Sequence, residues 1–147
     1  MSYQHILVPV DGSSTAYAAV NQAAQLAKTY NSEVTILPVV TIDPFIGVEY
    51  INAESQKEDA INHGRAMINE ILQEAKQEFS TQGVEANTKI VEGQEIYKEI
   101  VKAASDINAD LVVIGSHGRT GIKKLVLGSV AQKVLGEIHL PVLVVRA

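Results

Sequence analysis

The sequence predicts an α/β domain, a doubly wound parallel sheet of five strands with helices on both faces. Three observations carry that expectation. Short aliphatic runs alternate with longer segments of helical period along the chain, which is the pattern of βα units. Within the runs Val, Ile and Leu stand at consecutive positions, as strands buried on both faces require. Two runs end directly in glycine-containing polar turns, Asp11-Gly12-Ser13 after the first and Gly115-Ser116-His117-Gly118 after the fourth. A doubly wound sheet receives its ligand at that end of its strands.

The first run is Ile6 to Val10. After it Ala16, Ala19, Val20, Ala23 and Ala27 recur at helical spacing, with Ser13 or Ser14 placed to cap the helix. The second run, Val34 to Val40, contains Pro38, whose missing N–H belongs near a strand end or at a bulge. Residues 41 to 58 show no clean period; with Pro44, Phe45, Gly47 and Tyr50 they read as a surface connection or a mobile loop beside the site. A second helix places Ile61, Gly64, Ile68, Ile71, Leu72, Ala75 and Phe79 on one face and stops near Gly83.

The third run is Thr88 to Val91, and the third helix carries Ile96, Ile100, Val101, Ala104 and Ile107. The fourth run is Leu111 to Ile114. Ser129 opens a fourth helix with Val130, Val134 and Leu135 facing inward, and Ser129 with Gln132 has capping-box spacing. The fifth run is Leu140 to Val145.

At 147 residues, 46% of them hydrophobic and 20% charged, the chain reads as one domain over residues 1–147 with an aliphatic core. Cysteine is absent, which excludes disulfides, thiolate metal sites and thiol catalysis and fits a reducing compartment. No apolar run reaches the length of a membrane span and the first residues lack an export signal. The expected location is therefore the cytoplasm, with no membrane partner. His5, His63 and His139 show no paired metal-ligand spacing.

The segment from Gly115 to Lys133 carries Arg119, Lys123, Lys124 and Lys133 with no Asp or Glu, in a chain of formal net charge −5. A small cationic site on an acidic protein suits a compact anion; a nucleic acid would want a broadly basic surface. The Gly115 to Gly118 turn can aim backbone N–H groups at phosphate oxygens, and a helix starting near Gly128-Ser129 adds unsatisfied amides and a positive dipole end. Asp11 repels phosphate, so it belongs at the nucleoside end, accepting from a ribose hydroxyl or a base amine. Val10, Val39 and Ile114 can edge the base. Neither a Walker A pattern nor G-x-G-x-x-G is present. His117 in this loop reads as a binding residue, and Arg119, Lys123 and Lys124 as phosphate contacts or as a solvated loop.

Taken together, Val8-Pro9-Val10-Asp11-Gly12-Ser13, then Asp110 through Gly118 with nine residues before Gly128-Ser129-Val130, and Leu140-Pro141-Val142-Leu143-Val144-Val145 resemble the ATP-binding branch of the universal stress protein family, over essentially the whole chain. The resemblance implies an adenine nucleotide alpha hydrolase-like sheet ordered 3-2-1-4-5. It implies that Asp11 and the backbone of Pro9 and Val10 meet the adenosine. Val39, Ile114 and Gly115 would contact adenine, while His117, Gly118, Gly128, Ser129 and Val130 surround ribose and phosphates; Arg119, beside Gly118, joins them as a candidate phosphate contact from its charge. One departure is Pro38, where relatives often carry His. It further implies ATP, with Mg²⁺ held mainly by the phosphates, and a homodimer through Val142 to Val145.

The function expected is an ATP-binding regulatory or stress-response protein acting on a protein partner. No water-activating base stands out, so no catalytic residue is assigned and hydrolysis should be weak at most. Two alternatives use the same chain differently: a slow hydrolase or nucleotidyl-transfer enzyme in the same crevice, and a nucleotide-free interaction module.

Overall fold

The computed structural model describes residues 3–11, 13–39, 54–91, 95–116 and 128–146, without the side chains of 54–63 and 129. Strands β1 (His5–Val10), β2 (Glu33–Pro38), β3 (Ala86–Thr88), β4 (Leu111–Gly115) and β5 (Val142–Val145) alternate with helices α1 (Ser14–Tyr30), α2 (Glu54–Thr81), α3 (Ile96–Asp106) and α4 (Ser129–Glu137). All strand pairs are parallel and the sheet order is β3-β2-β1-β4-β5. The order expected from the resemblance is thus the order observed.

Two apolar layers cover the sheet. Ile6, Val8, Val10, Val34, Ile36, Leu111 and Val113 pack under the alanine face of α1 and under Ile71, Leu72, Ala75 and Phe79 of α2. Leu7, Leu37, Val112 and Ile114 point the other way, onto Ile100, Ala103 and Ala104 of α3 and Ala131 and Val134 of α4. Strand period two sends successive side chains to opposite faces, so every residue of Ile6 to Val10 is buried although the run has no polar alternation. This is why the strands read as continuous apolar runs.

Helix ends follow local chemistry. Ser13 caps α1, its Oγ accepting from Ala16 N–H at 3.2 Å, and Asn31 closes the helix in the left-handed region with φ 55°. Gly83 at φ 79° ends α2, with Val84 N–H donating to Phe79 O at 2.9 Å. Asn108 at φ 54° does the same after α3, where Ala109 N–H donates to Ala104 O at 2.9 Å. Asp110 then clamps the entry to β1, its two carboxylate oxygens accepting from Gln4 N–H at 2.8 Å and His5 N–H at 2.9 Å.

Four local expectations are revised. β3 lies two residues earlier than Thr88 to Val91 and is only three residues long; Lys89 N–H still donates to Ile36 O, but Ile90 is exposed. Residues 54–58 belong to α2, while 40–53 fall outside the described residues. In α4 the N-cap is Gly128, which makes Ser129 the first helical residue and removes the Ser129–Gln132 capping box. Leu135 is 42% exposed and Ala131 takes the inward place expected of it. A short helix with one narrow buried stripe misleads a periodic reading by one residue.

Pro38 ends β2 opposite Val10. Val39 N–H points toward β1, donating to Val10 O at 2.8 Å, so the nitrogen of Pro38 faces β3, which has already ended at Thr88. The proline therefore stands where the β2–β3 pairing stops, having no N–H with which to continue it.

Phe79 is wholly buried between α2 and the sheet, so Phe79→Ala should lower the unfolding free energy by about 3–5 kcal/mol. Leu135→Ala, at a half-open position, should cost under about 1 kcal/mol. Urea unfolding of both variants checks the contrast; similar losses would contradict the packing described.

Candidate functional site

The site forms where the chain changes direction of winding. β1 feeds α1 onto one face, whereas β4 feeds α4 onto the other. β1 and β4 are neighbours, and among the described residues their paired register covers Ile6 with Leu111 and Leu7 with Val112 and goes no further. Their crossovers depart to opposite faces, the arrangement in which a doubly wound sheet receives a ligand at the carboxyl ends of its strands.

On the β1 side Asp11 follows the strand directly. It is half-buried, and its Oδ1 accepts from Ser13 N–H at 2.9 Å, an Asx turn that fixes the carboxylate. Ser13 in turn caps α1, and its Oγ lies 3.3 Å from Thr15 Oγ1. Pro9 and Val10 are buried in β1. The Val10 side chain is spent in the layer under α1 and its carbonyl is taken by Val39 N–H. Val39 is half-buried at the end of β2.

On the β4 side Ile114 is buried, 5% exposed, and Gly115 ends the strand. A Cβ on Gly115 would lie 2.8 Å from Thr15 Oγ1, 2.9 Å from Thr15 C and 3.0 Å from Thr15 O. Glycine is required here because the first turn of α1 rests directly on the backbone of β4. That contact ties Asp11 and Ser13 to the root of the glycine loop, and neither residue's own neighbourhood in sequence signals it.

Ser116 completes the root. Its N–H donates to Val145 O at 2.8 Å, and its carbonyl accepts from Gly128 N–H at 2.6 Å. The intervening segment therefore leaves and returns at one point, and edge strand β5 is hydrogen-bonded to that point. Ser116 is 2% exposed, yet its hydroxyl has no hydrogen-bond partner among the described residues. Sequence reasoning passed over this serine, although a hydroxyl next to a strand-ending glycine was the available signal.

At the start of α4 the cap is Gly128, which has no side chain to accept from the first-turn amides. Amides at a helix start have no partner within the helix itself and suit an anion. Val130 is half-buried against the layer containing Ile114. The structure thus brings Pro9, Asp11, Val39, Ile114, Gly115, Gly128 and Val130 to the carboxyl end of the sheet. His117, Gly118 and Arg119 lie outside the described residues, as does the side chain of Ser129. Among the described residues no group of three His, Asp or Glu side chains is placed to hold a metal ion, and no helix is long and apolar enough to cross a membrane.

The sequence model of the universal stress protein family matches residues 2–146. The chain belongs to the universal stress protein family. It is 36% identical over 144 residues to a universal stress protein of Methanocaldococcus jannaschii, covering 98% of this chain and 82% of that one. A second universal stress protein of that organism, in its solved structure, superposes with a TM-score of 0.76 at 31% identity, covering 100% of this chain and 98% of the other. A universal stress protein solved in complex with cAMP superposes with a TM-score of 0.73 at 27% identity, covering 99% of this chain and 98% of its own.

Within this universal stress protein the Gly115 contact gives a direct test. Gly115→Ala should destabilise by about 1–3 kcal/mol, and adding Thr15→Ala should recover little, because two of the three close contacts are with the Thr15 main chain. Full recovery in urea unfolding would refute the contact. Ser116→Ala, by contrast, removes an unpartnered buried hydroxyl, so the nucleotide-free protein should keep its stability or gain up to about 1 kcal/mol. A loss above that range would show a partner for the hydroxyl.

Proposed function

We propose that this universal stress protein binds ATP in the crevice between Asp11 and the segment from Gly115 to Ser129, and that it acts as a regulatory or stress-response protein in the cytoplasm. The observation that carries this reading is the pairing of a carboxylate held at the end of β1 with a glycine-capped helix start whose root returns to the end of β4. Such a crevice offers an acceptor for the nucleoside and amide donors for the phosphates. A structural relative is described in complex with cAMP, which supports an adenine nucleotide as the ligand class.

The roles follow from what each group can do. Asp11 has one oxygen committed to Ser13 N–H and offers the other to a ribose hydroxyl or base amine. Val39 edges the base, with the backbone of Pro9 and Val10 on one side and the end of β4 at Ile114 and Gly115 on the other. Gly128, Ser129 and Val130 present the first-turn amides of α4 to the phosphates, and His117, Gly118 and Arg119 enclose them from the loop. No group among the described residues is assigned to Mg²⁺, which would arrive with the phosphates. Turnover is not part of the proposal.

The same reading includes a homodimer through β5. That strand pairs with β4 alone among the described strands, and its Leu143 is 36% exposed. An apolar sheet edge of this kind calls for a partner. Because Val145 O accepts from Ser116 N–H, that edge adjoins the root of the nucleotide loop.

Isothermal titration with ATP tests the site. Asp11→Ala should weaken binding about tenfold or more through loss of a charged acceptor, and joint replacement of Gly118 and Gly128 by Val should abolish it while leaving the unfolding midpoint near that of the native protein. Unchanged affinity in the double variant would remove the site assignment.

A further inference from the structure

Of the four cations in the acid-free segment from Gly115 to Lys133, Lys133 lies within the described residues, one turn into α4. Its Nζ sits 5.2 Å from the centroid of the Tyr97 ring, at the start of α3. A cation over a ring face is attracted by the ring quadrupole, so the long side chain has a resting place on the neighbouring helix. Lys98 Nζ is near the same ring at 6.0 Å, but it is engaged elsewhere, pairing with Glu95 Oε2 at 3.3 Å.

Glu95 is committed to this arrangement. The hydrogen bond from Lys98, then that from the Tyr97 hydroxyl, holds its carboxyl below the usual carboxylate range, and the same bond to Glu95 raises the Tyr97 phenol. Lys133 is left without an ion pair among the described residues. Glu95 feels the charge of Lys133 as the smallest of its influences, after Lys98 and Tyr97, and Glu137, one turn further along α4, acts on Lys98 and Tyr97.

Helical geometry gives Lys133 its direction. Side chains on a helix lean toward its N-terminus, so position 133 covers the turn holding Ser129 and Val130. That turn is the glycine-capped start of α4, where the proposed site places the phosphates. An ammonium above it, resting on an aromatic ring and not bound to a carboxylate, is placed to meet negative charge that extends beyond the reach of the amides. With one phosphate at those amides, a second and a third would extend beyond them.

We infer that Lys133, held on the Tyr97 ring, sets the preference of this site for nucleotides with several phosphates over those with one. This rests on the proposed nucleotide site. Lys133 would touch the distal phosphates, and Tyr97 is a positioning residue acting through it.

The test compares ATP and AMP affinity by titration calorimetry on nucleotide-stripped protein, at low and high ionic strength. Lys133→Met keeps the stem over the ring and removes the charge. It should weaken ATP about fivefold and AMP by less than about twofold, with the ATP deficit shrinking as salt rises. Tyr97→Leu should lower the ATP-to-AMP preference in the same direction, and Tyr97→Phe, which keeps the ring, should restore it. Lys98→Met, changing a lysine already paired with Glu95, should leave the preference unchanged. A native preference retained in Lys133→Met, or equal losses for both nucleotides, overturns the role of Lys133 and leaves the nucleotide site standing. Failure of the native protein to bind either nucleotide overturns both.

Discussion

The closeness of α1 to β4 is the constraint on which the site depends. Gly115 has no side chain, and Thr15 occupies the space where one would be. Because the first turn of α1 rests there, the Asx turn at Asp11, the Ser13 cap and the end of β4 are held as one unit. A side chain at position 115 would have to push α1 away from the sheet, and the carboxylate at Asp11 would move with it. The alanine face of α1 serves the same end, since Ala16, Ala19 and Ala23 are fully or nearly buried and allow a helix to lie close on strands.

Around that fixed corner the rest of the site is assembled by hydrogen bonds through one residue. Ser116 accepts from Gly128 and donates to Val145, so the beginning of α4 and the end of β5 are referred to the same residue. Two consequences meet here. The segment between Ser116 and Gly128 has a defined start and finish, and edge strand β5 is one hydrogen bond from that start. A change at that edge and a change at the loop root therefore share a physical link.

Charge is arranged on a local scale. The chain is acidic overall, yet the described part of the α3–α4 surface balances Lys98 and Lys133 against Glu95 and Glu137 around one tyrosine. These groups lie in high dielectric, where isolated pairs contribute little to stability. Their value is directional: Lys98 neutralises Glu95, which leaves the aromatic face for Lys133.

What the sequence by itself determined was the set of elements and the ends of strands that matter. Consecutive aliphatic positions announced buried parallel strands, because a strand covered on both faces has no polar side to reveal. Asp11 after the first strand and the glycine spacing after the fourth were legible because turns and anion cradles require those residue types locally. The register of α4 was misread at Ser129 and Leu135, and β3 was placed two residues late, since a nine-residue helix and a three-residue edge strand carry too little period to settle their own phase. Only the tertiary structure decided that Gly115 is demanded by Thr15 a hundred residues earlier, that Ser116 joins two segments, and that Lys133 rests on Tyr97. Each is a contact across the sheet or between helices, made by chain folding back on itself, and local propensity contains no record of which distant surface will arrive.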